Sequence, residues 1–194
     1  MFIYVTTIAS FAGAASAPTE ELKASIDAML EILRDKELAQ PDKKEERRSR
    51  ISTLIRDRFD FKEMARRSLA RNWNMRSAEE KKEFVEIFSD LLQSSYIGKI
   101  EGYTDEKITY DKEELKKEGK YGVVSTTIIT KDVNIPIDYK LIIKNDKWWV
   151  YDVVVEGVSF VSTYRSQYDK VIKKESYAAL IEKMKTKLDE INAL

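Results

Sequence analysis

The stretch YDVVVEGVSFVSTYRSQY, residues 151–168, joins a valine-rich segment to a helical one through Glu156 and Gly157. The first half is typical of a strand, because branched side chains pack well on a pleated surface. The second half returns to helical spacing with Val161 and Tyr164. Gly157 supplies the backbone freedom that a sharp change of direction requires. The stretch therefore predicts a strand that turns into a helix, and it marks where a sheet gives way to helices.

Three more β-rich segments lie upstream of this strand, which itself starts near residue 147. The segments cover residues 108–110, 121–130 and 133–143. Lys131-Asp132 and Asn145-Asp146 are the right length for two-residue hairpin turns. Asp138 and Lys140 lie in phase, which predicts that one sheet face is partly exposed to water. The pattern indicates an antiparallel meander.

Helical periodicity flanks this meander on both sides. Apolar residues recur at helical spacing within 20–34, 51–55, 61–73, 84–100, 161–172 and 177–191. Capping pairs precede three of the segments: Asp42 with Glu45, Asp60 with Glu63, and Ser77 with Glu80. The order of segments predicts an α+β domain in which helices pack on one face of a curved, mainly antiparallel sheet of four to five strands.

The composition excludes several classes of function. The 194 residues include 34 Lys plus Arg and 34 Asp plus Glu, so the formal net charge is zero, and bulk electrostatic binding of nucleic acid is not expected. Cysteine and histidine are both absent, which removes disulfides, thiolate chemistry and Ser-His-Asp triads. The sequence has no P-loop, no dinucleotide-binding glycine motif and no metal-ligand motif. We therefore expect neither a cofactor nor a metal.

Residues 1–17, MFIYVTTIASFAGAASA, contain no charged side chain and run from apolar to small residues, as a secretory signal peptide does. A basic segment at the start is missing, so we expect the true start of the signal peptide to lie upstream of Met1. Ala12-Gly13-Ala14 and Ala15-Ser16-Ala17 are alternative cleavage sites, and a short buried helix is the alternative interpretation. The stretch is too short for a good transmembrane span. We expect residues 18–194 to form a single domain.

Strand alternation divides residues 147–155 into two largely apolar faces, one of them with Trp149, Tyr151, Val153 and Val155. Asp152 and Glu156 lie on the other face. They could form a catalytic carboxylate pair, but four strand residues span about 13 Å, more than the roughly 5 to 9.5 Å of glycosidase pairs. We favour a structural role, in which these carboxylates accept hydrogen bonds from a chain end or from Arg165. Arg165 could instead bind a phosphate.

Several of these motifs together resemble the MlaC family, also called the toluene-tolerance auxiliary family. The most specific part is Trp149-Val150-Tyr151-Asp152, Glu156-Gly157-Val158-Ser159 and Tyr164-Arg165-Ser166-Gln167. Supporting segments are Phe59-Asp60-Phe61 with Met64-Ala65, and Ser77 followed by Phe84, Phe88 and Leu91. The resemblance covers essentially the whole chain after the predicted signal peptide. The chain departs from the family in lacking the basic start of the signal peptide.

The resemblance implies a carrier, not an enzyme, that holds phospholipid acyl chains in an apolar pocket between sheet and helices. The expected lipid-binding residues are Phe61, Met64, Phe84, Phe88, Leu91, Tyr96, Trp149, Tyr151, Val153, Val155, Phe160 and Tyr164. This set assumes that the odd-numbered face of the last long strand meets the helices; the opposite face would bring in Val150 and Val154. Arg165 is expected near the head group or in the framework.

The resemblance also implies a location and partners. We expect a periplasmic monomer that exchanges phospholipid with an outer-membrane lipoprotein complex and with the MCE-domain subunit of an inner-membrane ABC transporter. Nucleic acid is not an expected partner. Two alternatives to the carrier are a periplasmic adaptor with a solid core and a carboxylate-dependent enzyme with a cone-shaped α+β pocket.

Overall fold

Residues 16–103 and 106–193 are described in the computed structural model, as helices, a sheet and helices in chain order. The helices are α1 (Pro18–Arg34), α2 (Lys44–Arg58), α3 (Phe61–Leu69), α4 (Ala78–Glu101), α5 (Phe160–Lys174) and α6 (Tyr177–Asn192), with 3₁₀ turns at Pro41–Lys43 and Ala70–Met75. The strands are β1 (Lys107–Lys116), β2 (Tyr121–Ile129), β3 (Asn134–Lys144), β4 (Lys147–Val155) and β5 (Val158–Ser159). No helix in these two ranges is long and apolar enough to span a membrane.

The predicted signal peptide, residues 1–17, lies outside the described residues except for Ser16 and Ala17. These two residues precede α1, whose first position is Pro18. Proline suits this position because its missing N–H would have no partner in the first helical turn. The Glu20 carboxylate accepts a hydrogen bond from the Ala17 N–H at 3.3 Å. The start of α1 is thus stabilised locally.

The five strands form one antiparallel sheet in the order β1-β2-β3-β4-β5, so each strand pairs with its neighbours in the chain. This arrangement confirms the predicted α+β class with a mainly antiparallel sheet. The turn at Asn145-Asp146 is confirmed, with φ of 50° and 57° at its two residues. The turn predicted at Lys131-Asp132 is wrong in length. Residues 130–133 all lie in the loop, and the Thr130 N–H donates to the Val133 carbonyl at 3.1 Å.

Glu156 and Gly157 form a hairpin turn, whereas the sequence predicts a direct passage from strand to helix. Both residues have positive φ, 49° and 80°, which suits a tight turn between antiparallel strands. Val155 pairs with Val158 across the turn. A two-residue strand, β5, therefore comes between β4 and α5. It reverses the chain before α5 begins at Phe160.

We expect Gly157→Ala to lower the free energy of unfolding by about 1 kcal/mol, because an L side chain is strained at a φ of 80°. Gly98→Ala is a matched control. Gly98 lies within α4, and an added methyl group there meets no atom within 4 Å. Alanine favours a helix, so this control should gain roughly 0.5–1 kcal/mol. Urea denaturation measures both changes. Equal changes in the two variants would contradict the turn geometry.

A β-bulge in β4 changes which of its side chains share a face. Lys140 on β3 pairs with Asp152, but the next residue, Leu141, pairs with Val150. Tyr151 is therefore the extra residue, and strict alternation fails at this point. Strict alternation places Trp148 and Val150 on the face opposite to Val153. In the structure, both residues share a buried cluster with Val153 and with Leu141 of β3. The prediction that the odd-numbered residues share one face is wrong for Trp149 and Tyr151.

The helices cover the sheet in two places. Leu22 of α1 packs in the cluster that contains Val124, Leu141 and Val150, so α1 lies on this face, called the inner face below. A second cluster joins α3, α4, α5 and α6. It lies beside the edge of β4, where the Asp60 N–H donates to the Val150 carbonyl at 2.8 Å. The space between the inner face and α1, α2 and α4 is not filled.

Candidate functional site

An apolar cavity of about 370 Å³ lies between the inner face of the sheet and the helices. Helix α1 contributes Leu22, Ser25, Ile26, Met29, Leu30 and Leu33, and α2 contributes Leu54, Ile55 and Arg58. Phe59 follows, and α3 and α4 add Phe61, Met64, Leu92, Gln93, Tyr96, Lys99 and Ile100. The remaining wall consists of Tyr103, Ile108, Ile128, Ile137, Tyr139, Val153, Val155 and Phe160. Branched and aromatic side chains make up most of this wall.

The cavity has a buried end and an open end. Met64 and Leu92, together with Val153, are buried at one end, with exposed fractions of 1%, 5% and 8%. Lys99 is exposed, and Tyr103 is half-buried beside the connection from α4 to β1. We call this open end the mouth. A ligand in the cavity would have its apolar part shielded and one end near water.

Charge is almost absent from the wall. Among the described residues that line the cavity, the charged ones are Arg58 and Lys99, both of them cations. Lys99 lies at the mouth with its amine 5.2 Å from the centre of the Tyr96 ring. No carboxylate or histidine is among the described residues that line the wall. The site is suited to binding an apolar group.

Arg58 is occupied by contacts within the protein. Its guanidinium donates to the Glu21 carboxylate at 2.6 Å, to the Ser25 hydroxyl at 2.7 Å and to the Trp148 carbonyl at 2.6 Å. These bonds tie α1, α2 and β4 together beside the cavity. Charge-assisted bonds of this kind are among the strongest in proteins. Arg58 is therefore part of the frame of the cavity.

Glu21 is held in its charged form by this network. Burial raises the pKa of Glu21, but hydrogen bonds from Ser16, Arg58 and the Trp148 N–H lower it by more. The net pKa lies below the ordinary value of 4.5. The ionised Glu21 carboxylate therefore stabilises the folded protein above pH 4.5. This stabilisation is lost as the pH falls through the lower pKa that Glu21 has in the folded state. The contacts of Glu21 with Arg58 and Trp148 therefore persist near neutral pH.

Six of the twelve predicted lipid-binding residues line the cavity: Phe61, Met64, Tyr96, Val153, Val155 and Phe160. Three others, Phe84, Phe88 and Leu91, lie instead in the cluster of α3 to α6. The first half of the wide apolar face of α4 contacts α5 and α6. The second half of this face lines the cavity. Tyr164 packs in the same cluster, with its ring 5.6 Å from that of Phe88. Their assignment to the cavity wall is corrected.

Trp149 and Tyr151 are also corrected, because the bulge turns both away from the inner face. The Lys147 amine lies 4.3 Å from the centre of the Trp149 ring. The Arg67 guanidinium lies 4.1 Å from the centre of the Tyr151 ring. These are cation–π contacts on the outer side of β4. Neither ring belongs to the cavity wall.

The sequence interpretation missed the contribution of α1 and α2. The helical stripe of α1 contains Leu22, Ile26 and Leu33, and its apolar spacing is plain in the sequence. A stripe shows that a helix packs against something, but it does not show whether the neighbour is protein or a cavity. The signal existed, but nothing in the sequence distinguished this stripe from one that packs only against protein.

Asp152 belongs to the framework. Its carboxylate accepts hydrogen bonds from the Ser159 hydroxyl at 2.7 Å, from the Val161 N–H at 3.1 Å and from the Lys140 amine at 3.0 Å. Glu156 is exposed in the hairpin turn. Asp152 thus accepts hydrogen bonds from the start of α5 and from Lys140, and the donors are neither a chain end nor Arg165. Neither carboxylate lines the cavity.

Arg165 does not contact Asp152 or Glu156, which corrects its expected pairing. Its Nε donates to the Arg67 carbonyl at 3.1 Å. The side chain lies on the surface beside Arg71 and Lys173, away from the cavity wall. A head-group role at the mouth of the cavity is not consistent with this position. Within the described ranges, no group of three or more acidic, histidine or cysteine residues could hold a metal ion.

Together, the fold and the cavity define a class of protein: a small α+β domain that encloses a binding site for an apolar ligand. The chain belongs to the MlaC family, because the family model described as MlaC protein matches residues 23–186. The resemblance stated from the sequence motifs is thereby confirmed.

Two relatives extend this result. The intermembrane phospholipid transport system binding protein MlaC of Haemophilus influenzae is 26% identical over 112 residues, which is 56% of this chain. The match covers 52% of that relative, so this chain spans about half of its length. The phospholipid-binding protein from Ralstonia solanacearum, solved in complex with a phospholipid, superposes with a TM-score of 0.80 at 20% identity. That comparison covers 91% of this chain and 99% of the other, and it confirms the fold.

Proposed function

We propose that this protein is a periplasmic phospholipid carrier that holds acyl chains in the cavity between the inner face and helices α1, α2 and α4. The observation that carries the proposal is the wall of this cavity, which is apolar apart from a few groups and open at one end. The names of the two relatives, which concern phospholipid transport and phospholipid binding, support the choice of ligand.

The physical demands on such a carrier agree with this cavity. Removing one CH₂ group from water gains about 0.8 kcal/mol, so two long acyl chains represent about 20 kcal/mol or more. A carrier must shield the chains fully, or the lipid will remain in a bilayer. Recognition through the chains leaves the head group near the mouth and allows several head-group types. Release also remains feasible, because few polar contacts must break.

The membership in the MlaC family supports the wider role. We propose that the protein receives and delivers phospholipid between an outer-membrane lipoprotein complex and the MCE-domain subunit of an inner-membrane ABC transporter. It would act as a monomer, with residues 1–17 as a signal peptide and residues 18–194 as a single lipid-binding domain. The proposed lipid contacts are the six predicted residues on the wall together with the apolar residues of α1 and α2.

The two alternatives are less consistent with the site. A solid-core adaptor does not need a cavity of about 370 Å³. An enzyme that uses Asp152 and Glu156 would need both carboxylates at one substrate site, but neither lines the cavity and Asp152 is committed to three hydrogen bonds. The relatives are named as binding and transport proteins, which supports a role without catalysis.

Organic extraction of protein purified from periplasm without detergent tests the proposal. We expect phospholipid in an amount comparable to that of the protein, because transfer of the chains back to water is strongly unfavourable. Mass spectrometry identifies the lipid, and a phosphorus assay gives the stoichiometry. Protein that yields no phospholipid after gentle purification, and that takes up none from vesicles, would rule out the carrier.

A further inference from the structure

An excess of positive charge lies on one side of the protein, where α3 and α5 pack together. Helix α3, the 3₁₀ turn that follows it and helix α5 contain eight Lys plus Arg and two Asp plus Glu. The whole chain has a net charge of zero, so the rest of the molecule has a matching acidic excess. Charge of one sign concentrated on one surface attracts a partner of the opposite sign.

An open groove of about 380 Å³ lies within this surface, between the end of α3 and the side of α5. We call it the basic groove, and its polar lining consists of Arg71, Ser162, Arg165, Ser166, Asp169 and Lys173. Three of these side chains are cations and one is a carboxylate, while the two serines add hydroxyl donors. The groove is therefore suited to an acidic group.

The carboxylate in the basic groove is already paired. Asp169 accepts from Lys173 at 2.6 Å and from Arg71 at 2.9 Å. The hydrogen bond from Lys173 and the weaker effect of Arg71 hold the pKa of Asp169 below its ordinary value, so this group is ionised at neutral pH. One negative charge does not balance three cations, and the groove keeps a net positive charge.

Arg165 is the cation in the groove that pairs with no carboxylate of the described residues. Its Nε donates to the Arg67 carbonyl at 3.1 Å, which holds the guanidinium beside the groove. Its terminal nitrogens have no protein acceptor in the part of the chain that the structure describes. A guanidinium can donate two parallel hydrogen bonds to one carboxylate. Arg165 is thus positioned to bind a carboxylate from another molecule.

Two observations favour a protein over a bilayer as the source of this carboxylate. Helix α5 begins at Phe160 on the cavity wall, and Asp169 lies about 14 Å further along the helix. A carrier that exchanged lipid directly with a bilayer would present its mouth to it, and the groove lies elsewhere. Met75, which belongs to the same 3₁₀ turn as Arg71, is 68% exposed. Methionine and arginine are both enriched where proteins meet.

We propose that the basic groove is a docking site for an acidic protein surface, with a carboxylate of the partner bound to Arg165. Arg71 and Lys173 would steer the approach of the partner, and Met75 would add an apolar contact. The choice of a protein over a bilayer rests in part on the proposed carrier function. The groove itself is separate from the cavity, because their described lining residues do not overlap.

Site-specific photocrosslinking in the native host tests this proposal. The photoreactive residue p-benzoylphenylalanine replaces Ser166, which is exposed and lines the groove, and mass spectrometry identifies the adducts formed on irradiation. We expect an adduct with a protein whose cross-linked surface has more Asp and Glu than Lys and Arg. Thr186 is the matched control position, because it is an exposed hydroxyl residue on α6, outside the groove. The same replacement there should not give this adduct.

Charge reversal tests the role of the groove in the same assay. Arg165→Glu should reduce the adduct at position 166 by about tenfold or more, because repulsion replaces a charge-assisted hydrogen bond. Lys187→Glu makes the same change of charge on α6 and should leave the adduct unchanged. Arg71→Glu, at a side chain that is 67% exposed, repeats the test if circular dichroism shows that Arg165→Glu does not fold.

Several results would overturn the inference and leave the carrier function standing. They are an adduct with phospholipid alone, no adduct, a partner surface without an acidic excess, and an adduct that persists at the wild-type level in the folded reversal variants. Protein that contains no phospholipid but gives the acidic adduct would overturn the carrier function and support the docking site.

Discussion

Val155→Trp is expected to reduce the phospholipid bound per protein molecule by about tenfold or more. Val155 lines the cavity at the end of β4, and a tryptophan there would occupy space that acyl chains need. Forcing a large side chain and a ligand into one apolar site costs about 1–3 kcal/mol, and each 1.4 kcal/mol is tenfold in affinity. Lipid extraction followed by a phosphorus assay measures the effect.

Val154→Trp provides the control for this variant. Val154 is the neighbour of Val155 on the same strand and pairs with Ser159 and Asp138, and it does not line the cavity. The same increase in volume on the outer side should leave bound lipid close to the wild-type amount. Circular dichroism establishes that both variants are folded. If both variants bind lipid equally well, the ligand lies elsewhere.

Asp152→Asn is expected to lower the free energy of unfolding by about 2–3 kcal/mol. The Asp152 side chain is 5% exposed and holds the start of α5 through Ser159 and Val161. An amide cannot accept all of these hydrogen bonds, and it removes the charge that pairs with Lys140. The Lys140 side chain is 34% exposed, so its pair contributes the smaller part. Thermal unfolding should shift down by roughly 5–10 °C.

Asp138→Asn is the matched control for this stability effect. Asp138 lies on the neighbouring strand β3, is half-buried, and pairs across the sheet with Val154. Replacement there should change stability by less than about 0.5 kcal/mol. Stability losses of equal size in the two variants would contradict the framework role of Asp152. An Asp152→Asn variant that remains as stable as the wild type would also contradict this role.

The sequence predicted helix starts correctly where a side chain caps the first turn of its own helix. The Asp60 carboxylate accepts from the Glu63 N–H at 2.9 Å, and the Ser77 hydroxyl accepts from the Glu80 N–H at 3.1 Å, as their capping patterns predict. The prediction for Asp42 is wrong. Proline begins a 3₁₀ turn at Pro41–Lys43, and α2 starts at Lys44 without a side-chain cap. A capping pattern is a less reliable sign of where a helix begins when a nearby proline can itself begin a helical turn.

The site was harder to predict because it depends on non-local geometry. The β-bulge at Tyr151 reverses the alternation of half of β4, and no residue type in the sequence marks it. The aromatic residues of α4 form a single wide face, but Phe84 and Phe88 contact α5 while Tyr96 reaches the cavity. Periodicity identifies the apolar side of a helix, but the position of neighbouring elements decides whether protein or a ligand covers it.

A crystal structure of the protein with its co-purified lipid tests the central claim most directly. We expect tubular density for acyl chains between the inner face of the sheet and α1 and α4, in contact with Ile137, Val153 and Phe160. The head group should lie at the mouth, near Lys99. A cavity filled by protein side chains in a lipid-loaded sample, with lipid bound at another surface, would contradict the claim.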